Sequence, residues 1–91
     1  MFELDGKTAL VTGATRGIGE ASARALDAAG ARVILSGRTA SDLARVAGEL
    51  TNEPITLEAD LSPPGAGTKH AQQVLEATDG EGVDIIVNNA G

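Results

Sequence analysis

Thr12-Gly13-Ala14-Thr15-Arg16-Gly17-Ile18-Gly19 stands between the apolar run Ala9-Leu10-Val11 and the alanine-rich segment Glu20 to Ala29. In chain order this predicts a short buried strand, a tight glycine turn, and a helix whose first free N–H groups point back at the turn. Such an arrangement is a socket for a phosphate anion. Gly13 can take backbone angles closed to residues with a Cβ, so the chain can leave the strand sharply. Gly17 lets the backbone approach a pyrophosphate, and Gly19 lets the helix lie tight on the sheet. A glycine-rich turn between two ordinary elements would look similar by itself, so the reading depends on what stands at set distances downstream.

Outward from the turn, strands and helices alternate. Gly6-Lys7 leads into a first strand, Thr8 to Val11, whose continuous apolar character suits a parallel strand covered on both faces. The first helix runs from about Gly17 to Ala29, with Ile18, Ala21, Ala25 and Leu26 expected along the side facing the sheet, and Gly30 closes it. Arg32 to Ser36 is the second strand. Thr39-x-x-Asp42 reads as a capping signal, and Leu43, Val46, Ala47 and Leu50 then recur at helical spacing. After the break at Thr51-Asn52-Glu53-Pro54 comes a short third strand, Ile55 to Glu58. Ser62-Pro63-Pro64-Gly65-Ala66-Gly67 leads into a third helix with Ala71, Val74, Leu75 and Thr78 expected inside. Gly80-Glu81-Gly82 breaks that helix, and Val83 to Val87 is the fourth strand. This rhythm predicts a parallel sheet with right-handed crossovers and the order 3-2-1-4, with a ligand crevice where strands one and four lie side by side.

Composition bounds the partners. At 91 residues the chain has room for one domain and a modest core. Hydrophobic residues make up 42% and aromatic residues 1%, so the core must be built from Ala, Val, Ile and Leu. Seven basic against 13 acidic residues give a net charge of −6. That argues against nucleic acid or an anionic membrane as partner, since each needs a basic face. There is no Cys, which removes disulfides and thiolate chemistry and fits a cytoplasmic setting. The first residues carry early acids and no apolar core of signal-peptide length, and no run approaches the roughly 20 residues of a spanning helix.

The Gly-x-x-x-Gly-x-Gly spacing, with the preceding Thr, resembles the glycine motif of the short-chain dehydrogenase/reductase family. Asn88-Asn89-Ala90-Gly91 is similar to that family's second signature, at the end of its fourth strand. The resemblance covers essentially the whole chain, while the chain covers only the first part of the family's fold. It implies that residues 1–91 are the N-terminal part of one dinucleotide-binding domain with an α/β, Rossmann-like, doubly wound parallel sheet. It also implies cofactor contacts from Gly13, Thr15, Arg16, Gly17, Ile18 and Gly19.

The downstream positions indicate which dinucleotide. The acid that holds the adenosine ribose in NAD enzymes falls about 20 residues past the glycine turn, at the end of the second strand. Here that position is Gly37, followed by Arg38. A carboxylate would repel a 2′-phosphate, whereas glycine leaves room and a guanidinium can pair with it in a fork. NADP(H) is therefore the expected cofactor, and Arg16 stands where family members often carry a basic residue that reaches the same phosphate. Two solvated surface arginines is the alternative reading. By the resemblance, Asp60 accepts a hydrogen bond from the adenine amino group and Leu61 supplies a backbone N–H to the ring. Asp60 could instead simply begin the next loop. Asn88, Ala90 and Gly91 would lie under the adenosine, with Asn88 also tying neighbouring strands together.

Other polar residues are given plainer roles. His70, the one histidine, is read as a helix-surface residue with no metal partner, and Asp27, Asp42, Glu49 and Asp79 as solvated faces or helix ends. The family's Ser and Tyr-x-x-x-Lys chemistry lies downstream of the Asn-Asn-Ala-Gly segment, and this chain has no Tyr. No catalytic residue is therefore assigned within it. The reading is the cofactor-binding portion of an NADP(H)-dependent oxidoreductase that moves a hydride between nicotinamide and a carbonyl or alcohol substrate bound by a following part. The family is usually dimeric or tetrameric, so a homo-oligomer is expected. A non-catalytic dinucleotide-binding or regulatory module is the first alternative, and a structural fragment completed by a partner chain is another. A sugar-nucleotide epimerase or dehydratase would show Gly-x-x-Gly-x-x-Gly, which is absent.

Overall fold

The computed structural model describes residues 3–89. Its elements follow the order β1 (Thr8–Thr12), α1 (Gly17–Ala28), β2 (Arg32–Gly37), α2 (Ala40–Ala47), β3 (Ile55–Glu58), α3 (Ala66–Ala77) and β4 (Ile85–Asn88). All pairings are parallel and the sheet order is β3-β2-β1-β4, as the alternation of runs predicts. Ala90 and Gly91 lie outside the described residues.

Apolar runs at the centre of the sheet are continuous because both faces are covered. Along β1 and β2, Ala9 is opposite Val33, Leu10 opposite Ile34 and Val11 opposite Leu35. Successive side chains point to opposite faces, so this register sorts them into two layers. Val11, Val33 and Leu35 meet Ala14 and Ala23 and the α2 residues Leu43 and Val46 on one side. Leu10 and Ile34 meet Val74 of α3 on the other. Each large aliphatic side chain so buried contributes about 1.5–3 kcal/mol before chain entropy is counted. β4 pairs with β1 on one side only, and its Ile86 is 63% exposed.

Two helix faces differ from the sequence expectation. In α1 the buried residues are Gly19, Ala23 and Asp27, whereas Ile18 is 73% exposed and Ala21 and Ala25 are exposed too. Gly19 sets this rotation: a Cβ there would collide with the Gly13 carbonyl oxygen and lie 2.8 Å from Asn89 Nδ2. The bare backbone must therefore face the turn, and positions four and eight later follow it inward. In α3 the buried residues are His70 and Val74, while Ala71 and Leu75 are exposed and Thr78 falls at the C-cap.

His70 is thus not a surface residue. Ser36 Oγ and His70 Nε2 are 2.8 Å apart, and this partner within the fold allows the ring to leave water. Burial holds the His70 imidazolium below its ordinary range. Asp27 is also buried rather than solvated, and its carboxylate accepts hydrogen bonds from Thr51 N and Oγ1 and from Asn52 N. It pins the loop between α2 and β3 to the end of α1. Thr39 does occupy the N-cap of α2, but its side chain makes no capping bond. The fourth strand begins at Ile85 rather than Val83, and just before it Asp84 N–H donates to Thr8 O at 2.8 Å while Asp84 Oδ2 accepts from Thr8 N at 2.9 Å.

Candidate functional site

The carboxyl ends of β1 and β2 open into a groove of about 720 Å³. One wall is the glycine turn. Gly13 takes φ 60° and Gly17 φ 58°, the left-handed region that favours glycine. Gly19 then lets α1 approach the turn as closely as described above. Arg16 is the N-cap of α1 in extended geometry, and no side chain caps that helix end. Its first N–H groups remain uncapped, so the end carries partial positive charge.

The opposite wall is formed by Gly37, Arg38 and Thr39, which lead from β2 into α2, and Ala59, Asp60, Leu61 and Ser62 border the groove after β3. A Cβ on Gly37 would come within 3.2 Å of Leu43 Cδ2 and 3.5 Å of Thr15 Cγ2. The absence of a side chain therefore keeps the groove floor clear. Asp60 Oδ1 accepts from Ser62 N at 3.0 Å and from Ser62 Oγ at 2.7 Å. Those bonds, with a smaller contribution from the Arg38 charge, hold its carboxyl below the usual range. Asp60 therefore does begin a loop turn, while its other oxygen, Oδ2, takes no hydrogen bond from a described residue.

Six of the residues expected to touch the cofactor meet in this groove: Gly13, Thr15, Arg16, Arg38, Asp60 and Leu61, with Gly37 beside them. Gly17, Ile18 and Gly19 begin the adjoining helix, and Asn88 ends β4 beside Thr12. Neither Ala90 nor Gly91 is among the described residues. Asn88 Oδ1 accepts from Thr12 Oγ1 at 3.1 Å, which links the ends of β4 and β1. Thr12 Oγ1 also accepts from Asn89 N at 2.9 Å.

Sequence reading missed Asn89, which lines the groove and whose Nδ2 donates to Gly13 O at 3.4 Å. It also missed Ser36, Thr39 and Asp42 on the groove wall. Ser36 and Thr39 flank the Gly37-Arg38 pair, so the position of that pair could have flagged them. Arg45 was missed as well, although its Nη2 donates to Thr15 O at 2.9 Å. Among the described residues no hydrogen bond or ion pair engages the guanidinium of Arg16 or Arg38. No group of three or more His, Cys, Asp or Glu among them could hold a metal ion, and no helix is long and apolar enough to cross a membrane.

Comparison with known proteins agrees with this geometry. A family model described as short chain dehydrogenase matches residues 7–91. Nodulation protein G of Rhizobium sp. (strain N33) is 52% identical over 91 residues, which are 100% of this chain and 36% of that protein. Among solved structures, the Pseudomonas aeruginosa RhlG/NADP active-site complex is 41% identical with a TM-score of 0.86, covering 99% of this chain and 36% of that one. A metagenomic short-chain oxidoreductase in complex with NADP is 43% identical with a TM-score of 0.86, covering 97% and 40%. The chain spans about a third of the length of the curated relatives it matches.

Proposed function

The chain belongs to the short-chain dehydrogenase family, and from that premise we propose that it is the nucleotide-binding part of an NADP(H)-dependent oxidoreductase. The whole protein would move a hydride between the nicotinamide ring and a carbonyl or alcohol carbon, with the substrate held by residues that follow this part. Residues 1–91 would then be the N-terminal portion of a single dinucleotide-binding domain. The protein would be cytoplasmic and a homo-oligomer in its full-length form.

The observation that carries this reading is the pair Arg16 and Arg38, on the walls of one groove and neither held in an ion pair among the described residues, Arg38 acting on Asp60 only through its charge. A dianionic 2′-phosphate would meet two guanidinium groups there, and Gly37 replaces the acid that would repel it. The turn at Gly13 and the uncapped first turn of α1 at Gly17, Ile18 and Gly19 would hold the pyrophosphate through backbone N–H groups. Thr15 would flank it. Asp60, through its unengaged oxygen, and the Leu61 N–H would take the adenine edge. Asn88, with Ala90 and Gly91, would support the adenosine from β4. Two solved relatives in complex with NADP support the choice of nucleotide.

Equilibrium titration of the full-length protein with NADPH and NADH tests the reading. NADPH is expected to bind tighter, and Arg38→Ala to weaken NADPH by about tenfold or more while leaving NADH nearly unchanged. Equal affinity for the two nucleotides, or an unchanged NADPH affinity in Arg38→Ala, would overturn it.

A further inference from the structure

We infer that Arg45 is a positioning residue: it ties together the two guanidinium-bearing walls of the groove and thereby sharpens selection for the phosphorylated dinucleotide. The inference rests on the assignment of Arg16 and Arg38 to the 2′-phosphate.

The two walls are joined at their base by the sheet, where Thr12 pairs with Ser36 and Ala14 N–H donates to Ser36 O at 3.2 Å. Above that base they diverge, one into α1 and the other into α2. Arg45 reaches from α2 across the divergence, donating from Nη2 to Thr15 O at 2.9 Å and lying 3.5 Å from Glu20 Oε1. All described peptide bonds are trans, so fixing the Thr15 carbonyl also fixes the antiparallel N–H of Arg16 and the point where the Arg16 side chain departs. Arg38 stands two residues before α2, and Arg45 stands on its last turn. One side chain therefore links the segment that bears Arg38 to the peptide that bears Arg16.

Arg45 is itself held in place. Glu20, on the first turn of α1, also accepts from Arg24 at 2.7 Å, and Arg24 pairs with Glu49 just beyond α2. The Arg45–Glu20–Arg24–Glu49 chain has two charges of each sign and no net charge, so its effect on a nucleotide is through geometry more than through field. An exposed ion pair contributes little to stability. The bond to Thr15 O differs, because its acceptor is the backbone of the turn itself.

The test measures dissociation constants for NADPH and NADH in the full-length protein, for wild type, Arg45→Ala, Arg45→Gln and Arg38→Ala, with a thermal melt of each. Both Arg45 variants are expected to lower the preference for NADPH about fivefold, through weaker NADPH binding, with a melting temperature close to wild type because Arg45 is half exposed. An unchanged preference, or an equal loss for both nucleotides, in Arg45 variants of a protein whose Arg38→Ala variant does lose the preference would overturn the positioning role alone. A wild type with no preference, or an Arg38→Ala variant that keeps it, would overturn the 2′-phosphate assignment and this inference with it.

Discussion

Arg24 and Arg45 lie on the outer surfaces of α1 and α2, and Arg16 and Arg38 at the ends of the loops that precede those helices. Residue type is the same, and what surrounds it differs. The first pair has carboxylate partners, Arg24 with Glu20 and Glu49, Arg45 with Glu20. Among the described residues neither member of the second pair forms an ion pair, Arg38 acting on the Asp60 carboxylate only through its charge, and both line one groove. In a chain of net charge −6 with 13 acids, two arginines that form no ion pair among the described residues, at the carboxyl end of the sheet, are a reserve of positive charge for a ligand, while the paired ones link helices. Among the described residues the ion pairs of Arg24 and Arg45 join α1 to α2, and what sets Arg16 and Arg38 apart is that both are unpaired and line the same groove.

That contrast can be broken from several directions. The largest effect belongs to Gly19→Ala, since the added Cβ would collide with Gly13 O and force α1 away from the turn. A loss of about 3 kcal/mol or more in urea unfolding of the full-length protein, together with loss of NADPH binding, is expected. Retention of both would mean that the turn is not built on this contact. Arg16→Ala comes next, weakening NADPH by about tenfold with stability within about 0.5 kcal/mol of wild type. A stability loss without a binding loss would move Arg16 into the scaffold class.

His70 offers a pH test that separates scaffold from groove. Its folded-state pKa is lowered by burial from the ordinary 6.5, so the unfolded chain binds the proton more readily. Stability from the neutral buried ring is full above about pH 6.5 and is lost as pH falls through that value toward the folded pKa. Glu20 and Asp60, both held below the usual carboxylate range by their partners, act only in more acidic solution. Chemical unfolding followed from pH 7.5 to 5.5 should show the decline, and a His70→Gln variant should flatten it. An equal decline in the variant would assign the effect to another group. The smallest effect is expected from Arg24→Ala, about 0.2–1 kcal/mol of stability and no change in nucleotide affinity. A change in affinity would show that the outer network carries more than scaffold duty.

The alternation of elements and the sheet order were legible because local signals agree: apolar runs too short for helices, glycines at the turns, and two interior layers that fix the register. That Gly13, Arg16, Arg38 and Asp60 would share a groove was legible because all follow the carboxyl ends of strands, but its place was not. The crevice is expected between strands one and four, whereas the lining comes mainly from the segments after β1, β2 and β3, with Asn89 alone following β4. Rotation of α1 was not legible either. An alanine-rich helix gives a weak amphipathic signal, and the deciding contact is a glycine against a backbone oxygen, which no hydrophobic count registers. His70, Asn89 and Arg45 were missed because their partners are distant in sequence: Ser36 lies 34 residues from His70, Gly13 76 from Asn89, and Thr15 30 from Arg45.

The most direct test of the central claim is a competition titration of NADPH against NADH on the full-length wild type and on the double variant Arg16→Ala, Arg38→Ala. The account predicts a wild-type preference for NADPH of about tenfold or more, and no preference in the double variant. A preference that survives removal of both arginines would contradict it.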